Sequence, residues 1–149
     1  MEFRIPKPMK LEHDELHSEL AKATKEPGGI GEAAKAVATV LHNHFVNEEA
    51  FAIPPLGLLS QLAKGNVTKE MADVLKMTDK LKVELPKMLK DHEAIVSALN
   101  DLVKVAKSEG KEEYIRFAEK LKLHAQTEEE VSYPTAILIG EYLKLMFGR

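Results

Sequence analysis

Two short stretches place the same reactive side chains at the same offsets: HFVNEEAFAIP, from His44 to Pro54, and HAQTEEEVSYP, from His124 to Pro134. Each begins with His, carries Glu at the fourth and fifth positions after it, and reaches Pro at the tenth. On a helix, His-x3-Glu stacks a nitrogen lone pair and a carboxylate one turn apart on one face. Such nitrogen and oxygen donors suit divalent or trivalent cations.

The duplication is wider than these motifs. A shift of 79 positions lays Met9-Lys10-Leu11-Glu12-His13-Asp14 over Met88-Leu89-Lys90-Asp91-His92-Glu93, with Leu16 and Leu20 over Ile95 and Leu99. A shift of 80 lays Leu41, His44, Glu48, Glu49 and Pro54 over Leu121, His124, Glu128, Glu129 and Pro134. Each half therefore reads as a helix with His, a helix with His-x3-Glu, then proline. The chain is expected to be one domain over 1–149, with repeat halves at about 6–64 and 86–147 joined by a linker helix at about 65–85.

The elements follow from the breakers. Helices are expected from about Met9 to Lys25, from about Ile30 to Phe51, and from Pro86 to Ser108. A fourth runs from Lys111 to about Ser132, bends at Pro134 and continues to Phe147. Pro27, Gly28, Gly65 and Gly110 fall in the turns, and Pro54-Pro55 bends the second helix. A short helix follows to Lys64, and Thr68 is read as the cap of a helix to about Glu84. No segment alternates apolar and polar residues over strand length. The fold class is all-α: an up-down antiparallel four-helix bundle built from two repeated helix pairs.

Helical spacing then decides what points inward. Met9, His13, Leu16, His17 and Leu20 share a stripe on the first helix, and Val37, Leu41, His44, Glu48 and Phe51 on the second. Met88, His92, Ile95, Leu99 and Val103 do so on the third, and Tyr114, Phe117, Leu121, His124, Glu128 and Val131 on the fourth. Burying two carboxylates costs several kcal/mol each unless they are paired, and no Lys or Arg lies in these stripes near them. Cations neutralise both acids and use all four imidazoles. The expected metal ligands are His13, His44, Glu48, His92, His124 and Glu128. His17 is a candidate additional ligand one turn after His13, although Val96 is its counterpart in the repeat. His42 falls nearly opposite His44 and is expected on the surface. Glu49, Glu129 and Tyr133 are expected around the ligands rather than among them.

The pattern of EHDELH at His13, HFVNEE with Pro54, DHEAI at His92 and HAQTEE with Tyr133-Pro134 resembles the hemerythrin-like, or HHE cation-binding, domain over nearly the whole chain. The resemblance implies a bundle holding two non-haem iron ions with an oxo or hydroxo bridge. It assigns His13 and His44 to one iron, His92 and His124 to the other, and Glu48 and Glu128 as bridges. Oxygen-carrying hemerythrins have a fifth histidine where this chain has Met88. A four-His, two-Glu site is similar to that of repair-of-iron-centres proteins, which also carry a cysteine-bearing N-terminal segment not seen here.

Function is bounded by composition as well. The 149 residues carry a net charge of −3 with Lys and Arg dispersed, so no nucleic-acid partner is expected. No cysteine is present, which excludes thiolate sites and disulfides. The start, MEFRIPKPMK, has no apolar core of signal length, and no stretch is long enough to span a bilayer, so a cytoplasmic location without membrane partners is expected. The GGIG at Gly28 lacks the strand and Lys of a phosphate loop, and there is no nucleophile triad. The expected function is a di-iron protein that binds, senses or reduces O2, NO or peroxide, with a partner protein for redox or output. As an enzyme it would be a di-iron oxidoreductase acting on NO or peroxide. The alternatives are iron storage or trafficking, and a purely structural metal.

Overall fold

The computed structural model describes residues 3–149; Met1 and Glu2, at the head of the stretch read above for a signal, lie outside the described residues. The α-helices are α1 (Lys7–Thr24), α2 (Gly29–Asn47), α3 (Leu59–Ala63), α4 (Leu75–Ser108), α5 (Glu112–Thr127) and α6 (Tyr133–Met146), with no strand among the described residues. The bundle is formed by α1, α2, α4 and α5. Its neighbours run antiparallel, because pairing numbers fall on one helix as they rise on the other. Lys22 meets Glu113 while Lys120 reaches Glu15 and Glu19. His44 meets Asp91 while Gly29 lies against Val105. No helix of the described residues is long and apolar enough to cross a membrane.

Local chemistry sets the helix ends. Pro8 sits in the first turn of α1, where its missing N–H costs nothing, and the Pro6 carbonyl accepts the N–H groups of Met9 and Lys10 at 3.0 and 3.1 Å. Gly110, at φ 67°, closes α4 by letting the Lys111 N–H turn back to the Ala106 carbonyl at 2.9 Å.

Two departures from the expected elements have physical causes. The segment after Thr68 is a 3-10 turn, Lys69–Val74, with no cap bond from the Thr68 side chain. From Leu75 to Ser108, α4 runs without a break and Pro86 lies inside it. Pro86 and Lys82, whose carbonyl loses its ladder donor, both sit on the exposed face, where water can serve that carbonyl.

The second departure shapes the site. The helices widen into π turns at Glu48–Ala52 and Glu128–Ser132, eighty positions apart in the two halves. In the first, the Ile53 N–H bonds the Glu48 carbonyl at 2.9 Å, five residues back. Each wide turn ends just ahead of a proline, Pro54 or Pro134. The wider turn carries one extra residue, so the inward face advances by one position. In the second half Val131, expected on the inner stripe, is 56% exposed while Ser132 and Tyr133 are buried; in the first half its counterpart Phe51 stays buried together with Ala52 and Ile53.

Two apolar clusters fill the bundle. One gathers Leu16, Leu41, Phe45, Ile95 and Leu121, and the other Phe51, Met88, Leu81, Tyr133 and Leu143. The buried His and Glu residues form a polar layer between them, since on each helix they lie between members of one cluster and of the other. Met88, where the resemblance would put a fifth histidine, is fully buried within the second cluster. There α6 packs closely on α4. A Cβ at Gly140 would overlap the Thr78 side chain, so glycine sets how near the two helices come.

Candidate metal centre

The polar layer contains His13, His44, His92 and His124, none more than 8% exposed, and Glu48 and Glu128, at 0% and 2%. Their donor atoms form two groups, each with all its atoms within 4.8 Å of one another: His13, Glu48, His124, Glu128 and His44, Glu48, His92, Glu128. Both carboxylates are shared. Glu48 Oε1 lies 3.7 Å from His13 Nε2 and Glu48 Oε2 lies 3.5 Å from His44 Nε2. Glu128 Oε2 lies 3.0 Å from His124 Nε2 and 3.6 Å from His13 Nε2, while Oε1 lies 3.1 Å from His92 Nε2. Each acid thus gives one oxygen to each group, the arrangement of a bridging carboxylate.

The pairing differs from the one the resemblance implies. His13 groups with His124 and His44 with His92, instead of His13 with His44 and His92 with His124. Each group takes one histidine from each half of the chain, across the α1/α5 contact in one case and the α2/α4 contact in the other.

A carboxylate stands behind each imidazole. His44 Nδ1 lies 3.1 Å from Asp91, His92 Nδ1 lies 3.0 Å from Glu129, and His124 Nδ1 contacts Glu12 closely. His13 Nδ1 lies 3.6 Å from Glu49, beyond hydrogen-bond range but within that of an ion pair. A proton on Nδ1 donated to a carboxylate leaves the Nε2 lone pair aimed into the centre. Glu49 and Glu129 are where sequence spacing puts them, around the imidazoles. Glu12 and Asp91 were missed, although they precede His13 and His92 in both copies of the repeat. Nearby lysines pair with the outer acids, Lys10 with Glu49 at 2.7 Å and Lys87 with Asp91 at 3.3 Å.

His17 is exposed and stands outside both groups. The buried arc of α1 runs through positions 13, 16, 20 and 23, which leaves 17 at its edge. It lines a surface depression with His42, which is exposed as expected. That depression, about 540 Å³, reaches His13, and a related one of about 730 Å³ between α4 and α5 reaches His92. Phe45 stacks on His13 at 4.2 Å in the first; its counterpart in the second is the much smaller Ala125.

The electrostatics are those of crowded buried acids. Burial, then the charge of Glu128, pushes the Glu48 carboxyl up to about 7. Burial opposes ionisation of Glu128 too, but the closeness of Glu48 and of the His124, His13 and His92 imidazoles outweighs it and holds Glu128 well below the usual carboxylate range. Burial pulls His124 down, yet Glu128, Glu48 and Glu12 overcome it and push the imidazole up to about 9. His44 is raised by the same balance, with Glu48, Asp91 and Glu128 outweighing its burial.

The two groups are not equally satisfied. Tyr133, fully buried, places its hydroxyl 2.5 Å from Glu48 Oε2 and 3.4 Å from Glu128 Oε1. The same oxygen lies 3.1 and 3.2 Å from the Nε2 atoms of His44 and His92, which themselves approach to 2.9 Å. The other group has no such partner. His13 Nε2, Glu48 Oε1, His124 Nε2 and Glu128 Oε2 are buried with no aligned hydrogen bond, although His124 Nε2 and Glu128 Oε2 approach to 3.0 Å. These groups could hold metal ions: each offers two imidazole nitrogens and two carboxylate oxygens in a dry layer. The chain matches no family model, no curated protein and no solved structure, so the reading of this centre rests on its geometry and on the sequence pattern.

Proposed function

We propose that the chain is a hemerythrin-like di-iron protein that binds, senses or reduces a small ligand such as O2, NO or peroxide. One iron would lie among His13, His124, Glu48 and Glu128, the other among His44, His92 and the second oxygens of the same two acids. The observation that carries this reading is the set of four buried polar atoms, none with an aligned hydrogen bond, gathered within 4.8 Å of one another. Each orphan costs about 1–3 kcal/mol when left unmade in a buried site. A single cation satisfies all four and neutralises the acids.

Iron fits the donor set. Two histidines with carboxylate oxygens are a familiar non-haem iron environment, and no thiolate competes for a softer metal. When bound, iron supplies a redox centre with coordination positions left for a small ligand. The protein's own residues do the rest. Glu12, Glu49, Asp91 and Glu129 orient the imidazoles. The two apolar clusters exclude water above and below the layer. The depressions at His13 and His92 leave short approaches from solvent.

A second reading is a metal that only stabilises the bundle, favoured by a centre that ties all four main helices together. Metal analysis of protein from iron-replete cells, with optical spectra of the diferrous form exposed to NO and to O2, tests both. The expected result is two irons per chain and a spectral change with at least one gas. Glu48→Ala should empty both positions, because Glu48 serves both, and His42→Ala should leave them full. Less than one metal per chain sinks the proposal. Full loading with no response to either gas leaves the structural reading.

A further inference from the structure

Tyr133 is the one residue of the polar layer with no counterpart of its kind in the other half. Its repeat equivalent, by the shift that matches Pro54 with Pro134, is Ile53, which is equally buried. Both residues are aimed inward by the π turns. Tyr133 lies five residues after Glu128, which in a straight α-helix would rotate it by about 140° from that Glu. The wide turn at Glu128–Ser132 brings it back onto the same face.

The hydroxyl stands in an unusual relation to its neighbours. It lies 2.5, 3.1, 3.2 and 3.4 Å from one donor atom each of Glu48, His44, His92 and Glu128. Ligands about 2.0–2.2 Å from a common metal are about 3 Å from their neighbours in the coordination shell. A hydroxyl that merely braced one carboxylate from behind would be near that acid and far from the other three donors. This one is near all four, so any cation those donors hold must lie next to the hydroxyl oxygen. Nor can the ring readily withdraw. It is fully buried, it stacks on His92 at 5.7 Å, and the contact between Gly140 and Thr78 holds its helix close to α4.

We infer that Tyr133 is itself a metal ligand, giving its phenolate oxygen to the cation held by His44 and His92 and not to the one held by His13 and His124. Binding forms an oxygen–metal bond and breaks the O–H bond; the proton leaves to solvent and no electron moves. The two positions then differ chemically. The His44/His92 position has five protein donors, and the His13/His124 position has four. The small ligand of the proposed function therefore has its larger share of open coordination at the His13/His124 position.

The inference rests on the proposed metal centre, and one experiment separates their failures. Metal-free protein is reconstituted anaerobically with ferrous iron, oxidised in air, counted for iron, and examined by visible absorption and resonance Raman. The expected result is two irons per chain and a phenolate-to-ferric charge-transfer band whose excitation enhances tyrosinate ring modes. Those modes should shift when the protein is grown with ring-deuterated tyrosine, a readout that needs no variant. Tyr133→Phe should lose the band; Tyr114→Phe and Tyr142→Phe, at tyrosines outside the layer, should keep it. Two irons with no such band overturn the inference and leave the metal centre standing. One iron with no band also overturns it, because the hydroxyl then excludes a cation rather than binding one. No iron at all removes both.

Discussion

The four carboxylates behind the imidazoles are half-exposed or more than one-fifth exposed, and they act on atoms they do not share a helix with. Asp91 sits on α4 yet serves His44 of α2, and Glu12 sits on α1 yet serves His124 of α5. Asp91→Asn and Glu12→Gln should each lower iron affinity by about 10- to 100-fold without unfolding the protein, read by competition with a chelator. Titration of the layer gives a second residue-scale expectation, for the metal-free protein. Glu48 is raised from 4.5 to about 7 and His124 from 6.5 to about 9, so the folded state holds both protons more tightly than the unfolded chain. Their contribution to stability is complete below the unfolded values and is lost as pH rises through about 7 and about 9. Thermal denaturation of the metal-free protein should therefore show a Tm that falls from pH 5 to pH 9. Iron should reverse that slope, because its ligands must be deprotonated and its affinity grows with pH.

At the scale of elements, the close approach of α6 to α4 is set by one glycine. Gly140→Ala should cost about 1–3 kcal/mol through overlap with Thr78. Thr78→Ala in the same chain should restore part of that loss, a coupling that a double-mutant cycle of denaturant midpoints would reveal. The helices also explain what was legible in the sequence. On α2 and the wide turn that extends it, the 3.6-residue period carries Val37, Leu41, His44, Glu48 and Phe51 inward as expected, the helix being regular up to Asn47. The same period misplaces Val131 and gives no hint that Tyr133 touches all four donors, because the extra residue of a π turn leaves no compositional mark beyond the proline that follows it. Glu12 and Asp91 escaped for a different reason. They lie on the outer edge of their own helices, and their partners belong to helices whose adjacency no periodicity encodes.

For the molecule as a whole, the bundle encloses two carboxylates and four imidazoles that the apolar clusters alone do not compensate. Each bound iron should raise stability by about 4 kcal/mol at free iron a thousandfold above its dissociation constant, so the loaded pair by about 8 kcal/mol. Chelation followed by calorimetry should show that amount as a lowered Tm, with the midpoint rising again as iron is restored. The crossed pairing carries a consequence for how such a chain can vary. Residues 6–64 hold one histidine of each subsite, and so do residues 86–147. A single hairpin is therefore half of two sites and all of none, and only two hairpins together complete either. In a symmetric pair of identical hairpins the two positions would be obliged to be copies. Covalent fusion lifts that obligation, and the differences between Tyr133 and Ile53, and between Phe45 and Ala125, are ones that only a fused chain is free to carry.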